Sequence, residues 1–182
     1  MANATLVAAG KPKITGGVWR APAGTTLPTD ASTALGTGFV CLGYVSEDGV
    51  TLGVTRESDD IKAWGGDTVM TTQTEFSETF KFTLIETLNI DVKKAVFGDA
   101  NVTGTLASGM TTTVNSTELP EAVWVFEMVQ NGAACRIVVP NGKLSEMGDV
   151  TFNDSDPIGY EITITALPDT NGNVSYEYVL KA

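Results

Sequence analysis

Residues Glu75 to Gly98 read EFSETFKFTLIETLNIDVKKAVFG, and the fold turns on this stretch. From Phe76 to Leu88 the even positions are Phe76, Glu78, Phe80, Phe82, Leu84, Glu86 and Leu88, and the odd ones Ser77, Thr79, Lys81, Thr83, Ile85 and Thr87. Strand side chains alternate between faces, so a period of two held this long predicts one long strand with a buried face. The pattern breaks at Asn89, a residue type whose side chain caps the free N–H groups of a helix. Asp91 then falls where a first turn favours negative charge, Lys93 and Lys94 come later, and Gly98 suits a helix end. A long strand running into a short helix over residues 89–98 is the expectation.

Both flanks read as further β-structure. Phe39 to Val45 is apolar on both faces, Glu47-Asp48-Gly49 reads as a turn, and Val50, Leu52 and Val54 open another strand. Asn101 to Asn115 alternates weakly and suits an edge strand. Trp124, Phe126 and Met128 alternate with Val123, Val125 and Glu127, and Asn131-Gly132 separates them from the apolar run Cys135–Val139. Asn-Gly between two apolar runs is a strong hairpin signal, because both turn positions need φ > 0. Pro140-Asn141-Gly142 reads as the next turn, with a strand around Leu144 to Phe152 after it. Tyr160, Ile162 and Ile164, then Val174, Tyr176, Tyr178 and Leu180 across the loop PDTNGN, read as a closing hairpin. The sum is antiparallel β around one helix.

Two segments stand apart. Residues 1–38 are rich in Gly, Pro, Thr and Ala, with one short strand expected at Ile14–Arg20, and read either as an extended arm that a neighbouring subunit would support or as a frayed terminus. Residues 39–182 form a single domain on this reading. Arg56 to Thr74, RESDDIKAWGGDTVMTTQT, is long for a connection in a compact domain, and such lengths are usually functional or disordered. Trp64 beside Gly65-Gly66 suggests a projecting hairpin, whose apolar side chains would form a partner surface; the alternative is a hairpin folded back with Trp64 in the core. The contact candidates are Arg56, Glu57, Asp59, Asp60, Ile61, Trp64, Val69 and Met70 on the hairpin, with Trp19 on the arm.

Composition narrows the function. The 182-residue chain has length for one domain with a real core, and 42% hydrophobic residues argue against general disorder. No apolar run approaches the roughly 18 residues of a membrane span, and the N-terminus lacks the basic start of a signal peptide. Cytoplasmic synthesis and two free thiols, Cys41 and Cys135, are therefore expected. A net charge of −11 argues against nucleic-acid affinity, which comes mainly from Lys and Arg displacing counterions. With no histidine, Ser-His-Asp and Cys-His catalysis and the common zinc sites have no candidate. Phosphate-binding glycine loops are also missing, and the carboxylate pairs that could hydrolyse glycosides (Glu57, Asp59 and Asp60, or Asp154 and Asp156) are no more than any acidic protein offers. In DTNGN, Asp169, Asn171 and Asn173 mimic the start of a calcium loop, but the glycine is out of place and Leu180 stands where the closing Glu belongs. No enzyme, cofactor or metal is expected.

With these residues in view, the chain resembles the major tail proteins, or tail tube proteins, of long-tailed (siphovirus-type) bacteriophages. The similar stretches are KITGGVWRAPAGTTLPTDASTAL leading into GFVCLGYVSEDGV, the strand–helix EFSETFKFTLIETLNIDVKKAVFG, and the closing DPIGYEITITALPDTNGNVSYEYVL. They cover most of the chain, and the likeness lies in their layout rather than in one motif. The resemblance implies two packed antiparallel sheets, a β-sandwich or barrel-like fold, with one short flanking helix. It also implies hexameric rings stacked into a hollow virion tail through which DNA leaves without specific binding. Tape measure, tail terminator and distal tail proteins would be its partners. On that likeness Arg56 to Thr74 matches the loop that reaches the adjacent ring. A β-sandwich binding carbohydrate or a receptor is the alternative; its clustered exposed aromatics would have to come from Trp19 and Trp64.

Overall fold

The computed structural model describes residues 1–181. Its strands are β1 (Gly10–Pro12), β2 (Val18–Pro22), β3 (Val40–Cys41), β4 (Val45–Lys62), β5 (Thr68–Leu84), β6 (Val102–Thr105), β7 (Gly109–Thr112), β8 (Ala122–Gln130), β9 (Ala133–Met147), β10 (Tyr160–Leu167) and β11 (Tyr176–Lys181). The α-helix α1 (Ile90–Phe97) follows β5. Nine strands form one antiparallel sheet in the order β3-β2-β8-β9-β10-β5-β4, with β1 also on β8 and β11 also on β9; β6 and β7 pair apart.

The expected strand–helix unit is present. Phe80, Phe82 and Leu84 are buried on one face of β5, as alternation requires. The Asn89 side chain accepts from the Asp91 N–H at 3.0 Å, and Gly98 ends the helix at φ 98°. The strand starts earlier than the pattern foretold, at Thr68, and stops at Leu84.

The two layers are halves of one curled sheet. Although β9 and β10 lie between β5 and β8, the Phe80 and Phe126 rings stack with centroids 4.7 Å apart. Phe82 meets Trp124 and Phe126 edge-on at 6.0 and 5.5 Å. Val92, Ala95 and Val96 of α1 join the same core, and Phe97 packs edge-on against Tyr160. The fold is thus mainly β with one short helix, and the sheet ends in free edges at β3 and β4 rather than closing into a barrel.

Several expected turns and pairings are replaced. Pro140-Asn141-Gly142 is no turn: β9 runs straight through it. The pairs Trp124↔Val139 and Ala122↔Gly142 leave two residues of β9 opposite one of β8, a bulge that accepts proline because its missing N–H costs no ladder bond. At this point β9 also exchanges its other neighbour, pairing with β11 through Val138 and with β10 from Asn141. The closing segments therefore form no hairpin with each other; β10 lies between β9 and β5, and β11 runs on β9. Glu47-Asp48-Gly49 is a bulge within β4, between the pairs Val45↔Leu84 and Val50↔Phe82. The expected strand at 39–45 shrinks to Val40–Cys41, the strand near 144–152 ends at Met147, and Asn101–Asn115 holds the small β6–β7 pair. Asn131-Gly132 behaves as read, with φ 48° and 82°.

The N-terminal segment also differs from an arm awaiting a neighbour. The strands β1 and β2 line β8 of their own chain, and Val18 and Ala21 are buried. Leu27, Leu35 and Phe39 cover the outer face of β8 and β9 at Val123, Val125 and Val138. Covered on both sides, β8 is buried throughout Ala122–Glu127.

Candidate assembly surface

The eight hairpin candidates lie on the outer half of the β4–β5 ribbon. Facing pairs include Arg56↔Phe76, Glu57↔Glu75, Asp59↔Thr72, Asp60↔Thr71 and Ile61↔Met70. Directly opposed residues share a face, so the register sorts the side chains. On the face continuous with the core, apolar pairs extend outward as Val50↔Phe82 and Leu52↔Phe80, then Val54↔Glu78 and Arg56↔Phe76. The Arg56 guanidinium lies 4.5 Å from the Phe76 ring centroid and closes this stripe, a cation–π contact worth about 0.5–1 kcal/mol when exposed. Beyond it the same face turns polar, and Asp60 accepts from the Thr71 hydroxyl at 2.8 Å.

Bulges between Glu57 and Ser58 and between Ile61 and Lys62 reset the ribbon near its tip. Ile61 and Met70 are 50% and 54% exposed, on the face opposite that of Asp60 and Thr71. Val69 lies in the second bulge, also exposed. The tip is tied by Ala63 N–H to Asp67 O at 2.8 Å and Gly66 N–H to Ala63 O at 3.0 Å. Gly65 and Gly66 take φ 122° and 100°, which side chains rarely adopt, and the turn leaves Trp64 fully exposed. Glu57 and Glu75, both exposed, face each other across the ribbon, an arrangement that disfavours the isolated chain.

Trp19 is placed elsewhere. It sits half-buried on β2 opposite Cys41, its Nε1–H donating to Gly16 O at 3.3 Å, and packs against the outer core. Ser175 donates to Glu78, a buried carboxyl that alternation put on the core face. DTNGN is a turn, with Asp169 accepting from the Asn171 and Asn173 N–H groups and the Tyr176 hydroxyl. These bonds hold its carboxyl below the usual range, the tyrosine contributing most. Both cysteines are free, and burial, with Glu177 beside it, pushes the Cys135 thiol up to about 11. No group of three or more metal-binding side chains occurs among the described residues, and no helix is long and apolar enough to cross a membrane.

The sequence reading missed what fixes the N-terminal segment. Arg136, 1% exposed, donates through Nε and Nη2 to Glu127 Oε1 at 3.0 and 2.6 Å. Its remaining donors reach Asp30 O at 2.6 Å and Thr33 O at 2.8 Å. Lys13 Nζ donates to Glu127 Oε1 at 2.7 Å and to Ala31 O at 3.2 Å. The Asp30 carboxylate shapes this loop by accepting from the Thr33 hydroxyl and from the Ser32 and Thr33 N–H groups, which hold its pKa far below normal. The turn-forming run Asp30-Ala31-Ser32-Thr33 was a local signal for the loop; nothing local named Arg136 as its partner.

The comparison of the whole chain with known proteins bears on the surface just described. The phage tail tube protein family model matches residues 2–182. The chain belongs to that family. A tail tube protein is a structural subunit of the phage tail. Among solved structures, the tail tube chain is similar to one described as the cryo-EM structure of the anti-feeding prophage cap (tube terminating cap), with TM-score 0.47 and 8% identity. That match covers 94% of this chain and 93% of the other. No curated protein matches.

Proposed function

We propose that this tail tube protein assembles into hexameric rings that stack into the tube of a siphovirus-type tail, the conduit for DNA ejection. In this reading the β4–β5 hairpin, with Arg56, Glu57, Asp59, Asp60, Ile61, Trp64, Val69 and Met70, reaches from one ring to the next. Subunits are made in the host cytoplasm and join tape measure, terminator and distal tail proteins in the virion. The observation that carries the reading is the tip, where Trp64, Ile61, Val69 and Met70 are all exposed. Burying a Trp removes roughly 150–250 Å² from water, which at about 25 cal/mol per Å² is about 4–6 kcal/mol before association costs. An exposed ion pair gives about 0–1 kcal/mol, so the indole dominates over Asp59, Asp60 and Arg56.

Negative-stain electron microscopy and light scattering of the concentrated protein test this. Hollow rods with a ring repeat are expected from the native chain. Trp64→Ala should lose them while its thermal midpoint stays within about 2 °C, since surface changes usually cost less than about 0.5 kcal/mol. Rods forming normally from Trp64→Ala would remove the hairpin from this role. Monomers together with a specific hit in a glycan screen would favour a carbohydrate-binding module instead.

A further inference from the structure

We propose that the hairpin tip of one copy seats in a groove at the base of the same hairpin in the next copy, with Trp64 as the inserted side chain. The inference rests on the inter-ring reading above and names the surface that receives the tip. The groove lies where β5 leads into α1 and is a shallow, open depression of about 500 Å³, with Ile85, Leu88, Pro157 and Ile158 as its apolar wall beside Glu86 and Thr87. Leu88 on its wall is 65% exposed. Tyr44 adjoins it through its backbone, accepting from Ile85 N–H at 3.1 Å and donating to Glu86 at 3.0 Å, and is 75% exposed.

Placement selects a second copy as the occupant. The tip precedes β5 and the groove follows it, so the 17 residues of that strand separate them by roughly 55 Å at about 3.3 Å per residue. A knob at one end of an axis and a socket at the other form a heterologous contact, which repeats along the axis instead of closing on itself. A β-strand ribbon thus carries its own plug and the matching receptacle.

The test uses the full chain. Leu88 is exposed and precedes the cap of α1, where negative charge is favourable, so Leu88→Asp should melt like the native protein. Leu88→Asp and Trp64→Ala are each expected to abolish rods, while Leu106→Asp, exposed at the β6–β7 turn, forms them normally. Chains carrying Ala63→Cys and Thr87→Cys, which keep Trp64 and Leu88 in place, are then mixed, concentrated and treated with a short bis-maleimide. A peptide bridging positions 63 and 87 is expected from the mixture and from neither chain alone, which also controls for Cys41 and Cys135. Rods from Leu88→Asp with none from Trp64→Ala would overturn the groove and leave the hairpin reading standing. Rods from Trp64→Ala would overturn both. Lack of a 63–87 bridge overturns the groove whether or not rods form.

Discussion

Two single residues set what this chain presents and what it hides. Trp64 is the exposed side chain at the hairpin tip, whereas Arg136 is spent inside, and its neighbourhood decides whether the N-terminal segment stays docked. Glu127 is 4% exposed and is the carboxylate shared by Arg136 and Lys13. Glu127→Ala would leave two cations without their anion, so urea denaturation should show a loss of about 3–5 kcal/mol, the range for breaking a buried pair. A loss under about 1 kcal/mol would mean that the carbonyls of Asp30, Ala31 and Thr33 suffice. Asp30, Asp99 and Asp169 all have folded pKa values below their ordinary 3.8, the second through Arg20, the others through hydroxyl and backbone donors. A lowered folded pKa contributes stability above the unfolded value and loses it as pH falls through the folded one. The thermal midpoint should therefore hold between pH 7 and about 5 and fall below about 4. Asp30→Asn should flatten that acid limb; an unchanged limb would show that the loop at Asp30 does not stabilise the fold.

At the scale of elements, β9 organises the sheet because it changes partners midway. Gly142 makes this possible: an added Cβ would overlap Trp124 Cδ1 and stand 2.8 Å from Ile164 Cγ2. Gly142→Ala should destabilise by about 1–3 kcal/mol through overpacking, read as a lower denaturation midpoint. A neutral effect would return the segment to the open turn that Pro140-Asn141-Gly142 resembles in sequence. The ribbon β4–β5 shows the same dependence on context. Its length and its Trp-Gly-Gly tip were legible, but the bulge that sets Ile61 opposite Met70 and Asp60 opposite Thr71 was not. A bulge is one unpaired residue, and Thr-rich sequence such as Thr71-Thr72-Gln73-Thr74 fits several registers equally.

At the scale of the whole molecule, the proposed stacking brings an acidic subunit against copies of itself. A net charge of −11 opposes association, and screening shortens that repulsion from about 30 Å at 0.01 M salt to about 8 Å at 0.15 M. Tube growth driven by apolar tips should therefore speed up as salt rises from about 0.02 to 0.5 M, followed by light scattering. Growth that slows instead would mean that ion pairs, rather than Trp64, carry the contact. The long free edge at β4 and the short one at β3 leave the curled sheet open, so neighbouring copies have backbone groups to pair with.

Local sequence by itself determined the strand–helix unit, the Asn89 cap, the Asn131-Gly132 turn and the presence of a projecting hairpin. Each rests on periodicity or on one residue's backbone preference, and these act over a few positions. Tertiary structure alone decided that β9 passes through Pro140, that β11 joins β9 rather than β10, and that residues 10–39 lie on their own β8. Those outcomes depend on which faces still need cover and on donors such as Arg136 finding acceptors some hundred residues away. Pairing of that range follows from burial and register across the whole sheet, which no local pattern encodes.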